Sequence, residues 1–516
     1  MFPYVLPSST LHNRVQHPNS KMEDKRGTSK SFFDVIIIGA GISGIDAAYR
    51  LQTQIPEYSY TILEARNSLG GTWDLFRYPG VRSDSDLHTF GFPWRPWPEQ
   101  SAIASGASIM KYIKESAAEY GIDTHVQFHK KLTAANWSSD QQLWQLTVDA
   151  DGEKEIHHSR FLVIGSGYYD YYNPRSTIIP GLENFKGTTV HPQFWPEDLD
   201  FTNKKVVIIG SGATAVTLLP SIAEKATCVT MLQRSPSYVV SRPTSDFVEN
   251  FFRNWLPRGL SGFLNRWKNI LFSIFIVKWC LAYPEKAREA IKQATIKQLP
   301  PTIPHDPHFN PAYDPWRQRL CLCPNGNFFE SLRGGNATVV TDTIKTMTSD
   351  RIILSSGQEL EADIIVTATG LRVLLAGGAL VSVNNTVVRP CEKFTWKSAM
   401  LQDLPNAFFL IGYTNASWTL GADASALLIC RILRDMKACG MTSVVPRVDE
   451  AARKDMKALQ LMNLSSTYLQ ERAAREQMPL AGDRGPWRPR SNYLRDYWNA
   501  KFGGIREGLV YEKIST

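Results

Sequence analysis

The sequence predicts an α/β fold with two parallel-sheet units and a helical insert, on three observations. A buried apolar strand running into a glycine-rich turn and then a helix occurs twice in the 516 residues, at 32–52 and again at 204–222. Each is followed by a second apolar strand. Residues 247–296 carry aromatic and basic residues at helical period and no such turn. A G-x-G-x-x-G segment has meaning only between a strand and a helix, where it makes a cradle for a pyrophosphate. Both copies here sit in that context, so the expectation is two Rossmann-like dinucleotide-binding domains.

In the first unit Phe32–Ile38 reads as a buried parallel strand, apolar and largely β-branched. Gly39, Gly41 and Gly44 follow at once, with Ser43 inside the turn, and 45–52 reads as the helix. Gly39 allows the tight turn, Gly41 lets backbone approach a pyrophosphate, and Gly44 lets helix and strand pack closely. The helix N-terminus then offers N–H donors to the phosphates. The second strand, 59–63, ends at Glu64, where an acidic residue takes ribose hydroxyls and repels a 2′-phosphate. This unit therefore favours FAD or NAD over NADP, and the contrast with the second unit below assigns FAD here. Gly70-Gly71-Thr72-Trp73-Asp74 and Arg77-Tyr78-Pro79-Gly80-Val81-Arg82-Ser83-Asp84 suit a loop folded over a flat cofactor.

The second unit starts with the strand 204–209, then Gly210-Ser211-Gly212-Ala213-Thr214-Ala215 and a helix through Ile222. This is the G-x-G-x-x-A form of the same fingerprint. Its second strand, 228–232, runs into Gln233-Arg234-Ser235. A neutral residue and a guanidinium now stand where the first unit has Glu64, which suits a 2′-phosphate. The assignment is NADPH, with Arg234 clamping that phosphate.

The remaining segments complete a domain plan. Residues 1–30 read as a disordered extension without the apolar region of a signal peptide. The FAD-binding domain begins over 31–184, and the NADP-binding domain over 185–243. A helical cap insert occupies 244–316. The NADP-binding domain returns over 317–370, with strands at 337–340, 351–354 and from Asp363. The FAD-binding domain returns over 371–516, with a charged, helical C-terminal part.

Composition excludes several classes. Net charge is +8, from 57 Lys and Arg against 49 Asp and Glu, and the basic residues are dispersed, so nucleic acid is not an expected partner. Seven cysteines without a C-x-x-C pair suggest reduced thiols in an intracellular, cytoplasmic protein, and none precedes Cys228, which disfavours a disulfide reductase. His305-Asp306-Pro307-His308 has no partner cluster, so no metal is expected. The apolar run Leu271–Tyr283 falls short of the ~20 residues of a bilayer span. It reads as a core helix of the cap, with a weak peripheral membrane contact as the alternative. Oligomeric state has no signature in the sequence.

Between the two units stands Phe185-Lys186-Gly187-Thr188-Thr189-Val190-His191-Pro192-Gln193-Phe194-Trp195-Pro196. It matches F-x-G-x-x-x-H-x-x-x-W-P, and on this motif the chain resembles the class B flavoprotein monooxygenases of Baeyer–Villiger type. GGTWDLFRYPGVRSDSD, LQRSPSYVVSRP, PWRQRLC and GYTNASWT extend the resemblance over residues 32–500, notably to the subgroup that includes a mycobacterial thioamide-prodrug activator.

The resemblance implies FAD and NADPH as cofactors and O2 as co-substrate. It implies a C4a-peroxyflavin that converts a ketone to an ester or lactone, often in natural-product biosynthesis. It places the active-site arginine on Arg319 and its orienting carboxylate on Asp84. His191 is expected in a hinge-linked loop rather than in proton transfer. The aromatic content of the cap suggests a bulky apolar ketone. The alternative is oxygenation at sulfur or nitrogen. Three positions depart from the pattern: Gly165-Ser166-Gly167, Asn327, and Gln318 where other branches carry a phosphate-binding lysine.

Overall fold

The computed structural model describes residues 31–244, 246–318, 320–462 and 467–514. The proposed N-terminal extension and Arg319 lie outside the described residues. Phe32–Thr516 cluster as one unit.

The first sheet is centred on Phe32–Ile38, which pairs in parallel with Tyr60–Leu63 on one side and Glu153–Ile164 on the other. Four of its seven residues are buried, as an apolar strand covered on both faces requires. Beyond Glu153–Ile164 the sheet turns antiparallel through Leu143–Ala150 and Lys131–Ser138. The late strands Leu380–Val383 and Ala407–Phe409 join it in parallel. The chain thus leaves this sheet after residue 164 and comes back after residue 379.

Residues in between build the second sheet. Its order is Ala337–Thr341, Cys228–Gln233, Lys205–Ile209, Ile364–Thr367, Thr188–Val190, and every pairing is parallel. The edge strand Thr188–Val190 is entered through the start of the F-x-G motif. A Cβ on Gly187 would lie 2.4 Å from the carbonyl oxygen of Asp363 and 2.5 Å from the ring of Phe185. Phe185 is itself buried beside Val207 and Ile365. The motif's phenylalanine and glycine therefore seal the edge of this sheet.

The insert consists of three helices, Phe247–Trp255, Arg258–Ala282 and Pro284–Ile296, spanning the residues that the period indicated. The part after residue 440 differs from the expected helices. Ser443–Pro446 and Leu509–Glu512 form an antiparallel pair, in which Val444 joins the first sheet's core and Val445 is also buried. Helices there are short, apart from Tyr493–Phe502.

The helices Ile42–Gln54 and Trp418–Cys439 pack together through a buried ionic cluster. Arg50 Nη2 lies 2.7 Å from Asp423 Oδ1, and Trp94 Nε1 donates to Asp46 Oδ1 at 2.9 Å. Asp46 and Asp423 are both fully buried. Burial first, and the Asp423 charge second, push the Asp46 carboxyl up to about 8. A carboxyl raised in this way binds its proton more tightly folded than unfolded, so its contribution is complete at low pH and declines as pH rises toward the folded value.

Two outcomes follow from these contacts. Between about pH 4 and 8, urea denaturation of Asp46→Asn should show a smaller loss of stability with rising pH than the parent chain; parallel profiles would contradict the assignment. Gly187→Ala should cost about 2–4 kcal/mol in the same assay, since backbone and a buried ring both block the new methyl.

Candidate functional site

The first cradle forms where Phe32–Ile38 meets the helix Ile42–Gln54. Gly39 has φ +98°, and a Cβ on Gly44 would lie 1.9 Å from the Gly39 carbonyl oxygen. Only glycine at Gly44 lets the helix begin this close to the strand end. Across the opening, Gly71 presents bare backbone to Gly41, so the walls are held apart by no side chain on either residue. The cavity between them is about 330 Å³. Its wall includes Gly39, Gly41, Ser43, Glu64, Gly71, Thr72, Trp73, Arg82, Ser83 and Asp84.

Glu64 is buried and held by two backbone donors, Ala40 N at 2.7 Å and Arg66 N at 2.9 Å. Burial raises its pKa, and the two N–H bonds oppose that shift. One donor sits on each oxygen, so each keeps a lone pair for ribose hydroxyls. Ser43 Oγ accepts from Trp418 Nε1 at 2.9 Å, and the Thr72 and Tyr171 hydroxyls are 3.0 Å apart. Asp74 does not border the cavity. It pairs with Arg66 at 2.7 Å and Arg77 at 3.2 Å, tying down the loop that follows Gly71.

The second cradle repeats the geometry. Gly210 has φ +143°, with its Cβ position 2.3 Å from the Ala368 carbonyl oxygen, whereas a Cβ on Gly212 would meet nothing within 4 Å. Open space therefore lies over the start of the helix Ala213–Ala223. Ser211, Gly212, Ala213, Thr214 and Arg234 border a cavity of about 1460 Å³, and Ala215 is buried in the core behind them. The Gln233-Arg234 pair divides. Gln233 is buried, and its amide donates to His308 O at 2.7 Å and Thr341 Oγ1 at 2.9 Å, which braces the strand end. Arg234 is exposed on the cavity wall.

A single loop connects the cradles. The Tyr78 hydroxyl bonds the Thr214 side chain, and burial pushes that phenol up to about 12. Gly80 stands where any Cβ would meet Ser221 Oγ at 2.3 Å. Further along, Arg82 Nη2 donates to Leu322 O at 3.1 Å, while burial pulls its pKa down against the nearby Asp84 charge. Burial first, and the Asp84 charge second, raise the Cys321 thiol, and Asp84, Leu320, Cys321 and Leu322 border the same large cavity. Asp84, Ser85, Tyr169 and Ala416 border both cavities.

The rest of the twelve-residue motif supports this arrangement from behind. His191 Nδ1 accepts from Gln193 N at 3.3 Å, and burial lowers the imidazole pKa. Gln193 Nε2 donates to Asp170 O at 2.6 Å. Trp195 is buried with Val190 and Val206, and Pro196 begins the turn toward Leu199. None of Phe185, Gly187, His191, Trp195 and Pro196 borders either cavity.

Several wall residues have no signature in the sequence. Arg66 braces the first loop, and Arg175 reaches the large cavity while donating to Thr369 O and Glu471. Asp342 stands on the same wall as Arg234, held in its anionic form by Ser356 and Thr343. Such positions become visible only when remote segments are brought together.

The sequence profile of the Flavin-binding monooxygenase-like family matches residues 33–252. The chain is 46% identical over 480 residues to an FAD-containing monooxygenase, EthA, of Mycolicibacterium smegmatis, covering 93% of this chain and 96% of that one. It is 42% identical to a putative FAD-containing monooxygenase, MymA, of Mycobacterium tuberculosis, over 90% of this chain and 94% of the other. Among solved structures it is similar to an oxidized steroid monooxygenase bound to NADP, at TM-score 0.72 and 20% identity over 93% and 100% of the two chains. A cyclohexanone monooxygenase from Rhodococcus sp. Phi1 bound to NADP+ matches at TM-score 0.70 and 19% identity, over 94% and 100%. With two glycine-built cradles facing one shared wall and relatives of this identity along nearly its whole length, the chain belongs to the family of FAD-containing, flavin-binding monooxygenases.

Proposed function

We propose that this chain uses FAD and NADPH to perform Baeyer–Villiger oxidation of a bulky apolar ketone, giving an ester or lactone. The observation that carries the reading is the wall shared by the two cavities: Asp84, Ser85, Tyr169 and Ala416 face both. A flavin held by the first cradle would meet there both the nicotinamide end of a nucleotide on the second cradle and a substrate in the larger cavity. The net reaction consumes ketone, O2, NADPH and a proton, and yields ester, water and NADP+. Bound flavin supplies the redox chemistry that activates oxygen.

The chain's own residues supply binding and charge. Gly39, Gly41 and Gly44 make room for the FAD pyrophosphate, and Glu64 takes the ribose hydroxyls. Gly210, Ser211 and Gly212 leave the start of the second helix open to the NADPH pyrophosphate, and Arg234 reaches the 2′-phosphate. Arg319 provides the cation for negative charge developing on the transferred oxygen, and Asp84 holds its guanidinium in one orientation. Apolar side chains of the insert, among them Phe272, Ile276 and Val277, favour an apolar substrate of some size.

Mass spectrometry of a ketone and sulfide panel incubated with FAD-loaded enzyme and NADPH should reveal a product one oxygen heavier than the ketone, split by base into acid and alcohol. Sulfoxide formation without any ester would overturn the ketone assignment. Arg319→Ala should abolish ester formation while FAD stays bound; surviving ester formation would remove Arg319 from its role. In steady-state kinetics Arg234→Ala should raise KM for NADPH about ten- to a hundredfold, as expected for loss of a charged phosphate contact, with NADH nearly unaffected.

A further inference from the structure

The long insert helix Arg258–Ala282 turns polar residues inward over its first half and leaves large apolar ones outside along its length, unlike an ordinary surface helix. Its inward side carries Ser261, Asn265, Arg266 and Asn269, all buried, and then the apolar Ile270, Val277 and Cys280. Arg266 Nη1 donates to the carbonyls of His88 at 3.1 Å and Gly91 at 2.7 Å, and Asn269 Nδ2 donates to Glu249 Oε1 at 2.9 Å. Facing outward, Phe263 is 56% exposed, Leu271 53% and Phe275 62%. The only charges between Arg258 and Lys278 are Arg266 and Lys268, and Lys268 is engaged by Asp246 and Glu249. The adjoining helix Phe247–Trp255 adds Phe247, Phe251 and Trp255 at four-residue spacing, with Phe247 82% and Trp255 76% exposed. Single exposed apolar residues are ordinary, but two neighbouring helices with continuous apolar stripes mark a docking surface.

We infer that this face seats on an anionic lipid surface, so that the large cavity opens toward the lipid. Two observations favour lipid over protein. Exposed Arg253, Arg258 and Lys278 flank the apolar stripes, which would set like charges against each other in a dimer formed through this face but attract anionic headgroups. Phe272 and Leu281 are half exposed and also border the large cavity, so the stripe meets the cavity's mouth. A protein seated there would close that mouth, whereas a lipid phase leaves it open and concentrates apolar compounds beside it. Among the described residues no helix is long and apolar enough to cross a membrane, so the seating inferred is interfacial. Delivery of an apolar ketone by this route rests on the oxygenation proposed above; the docking itself does not.

Flotation of the full-length, FAD-loaded chain tests the docking. The parent should float with vesicles of phosphatidylcholine and phosphatidylglycerol in equal parts, float less with phosphatidylcholine alone, and be released by salt. Trp255→Glu combined with Phe275→Glu should lower partitioning about tenfold or more, while Trp255→Phe keeps it. Bound flavin and oxidation of a short, water-soluble ketone without vesicles should be unchanged in the double variant. Equal flotation of parent and double variant, or none by the parent, overturns the inference. So does a parent dimer that the double variant converts to monomer, since the face would then belong to a second copy. Flotation without any ketone oxidation would leave the docking standing and remove the proposed reaction.

Discussion

Everything at the two cradles depends on backbone approaching backbone without an intervening Cβ. At Gly44 a methyl would sit 1.9 Å from the Gly39 carbonyl oxygen, and at Gly210 2.3 Å from that of Ala368. The first gap sets where the helix starts relative to its strand, and the second seats the glycine turn against the end of Ile364–Thr367. They also set where the helix N–H groups and dipole point. Gly41 and Gly212 then leave the space in front of the helix starts clear. The sheets, their cores and the loops over the cavities are arranged around these close approaches.

A second layer of constraint relates the two cradles to each other. The loop from Gly71 to Asp84 belongs to the first unit, yet Tyr78 bonds Thr214 and Gly80 packs on Ser221 of the second. Its far end carries Asp84 to the wall common to both cavities. The twelve-residue motif works differently. Phe185, Gly187 and Trp195 seal the edge of the second sheet and its core, and Gln193 ties the motif to Asp170. These motif residues are thus packing residues that line neither cavity.

The insert shows how burial can run opposite to hydropathy. Arg266 Nη1 and Asn269 Nδ2 find carbonyl and Glu249 partners, which offsets much of the cost of their burial, while Arg266 Nη2 and Asn265 Oδ1 are buried without one. The apolar residues left outside have no partner of that kind within the described residues. Hydropathy along the segment indicated helices with a core-facing side; the direction of that side follows only from the contacts of Arg266 and Asn269.

Local chemistry determined a good deal from the sequence alone. Strand, glycine turn and helix at 32–54 and 205–223 were legible because each depends on residues within a few positions of one another. The same holds for the three insert helices and for the contrast between Glu64 and Arg234. Tertiary structure decided what depends on distant segments. Ser443–Pro446 pairs with Leu509–Glu512 across the intervening chain, which no local period records. Gln233 turns inward because Thr341 and the His308 carbonyl are there to receive its amide. Arg66, Arg175, Asp342 and Trp418 join the cavity walls for the same reason. Which residues form a helix or strand is a short-range question, answered by propensity and period; which of them share a wall is settled only when burial brings together groups far apart in the chain.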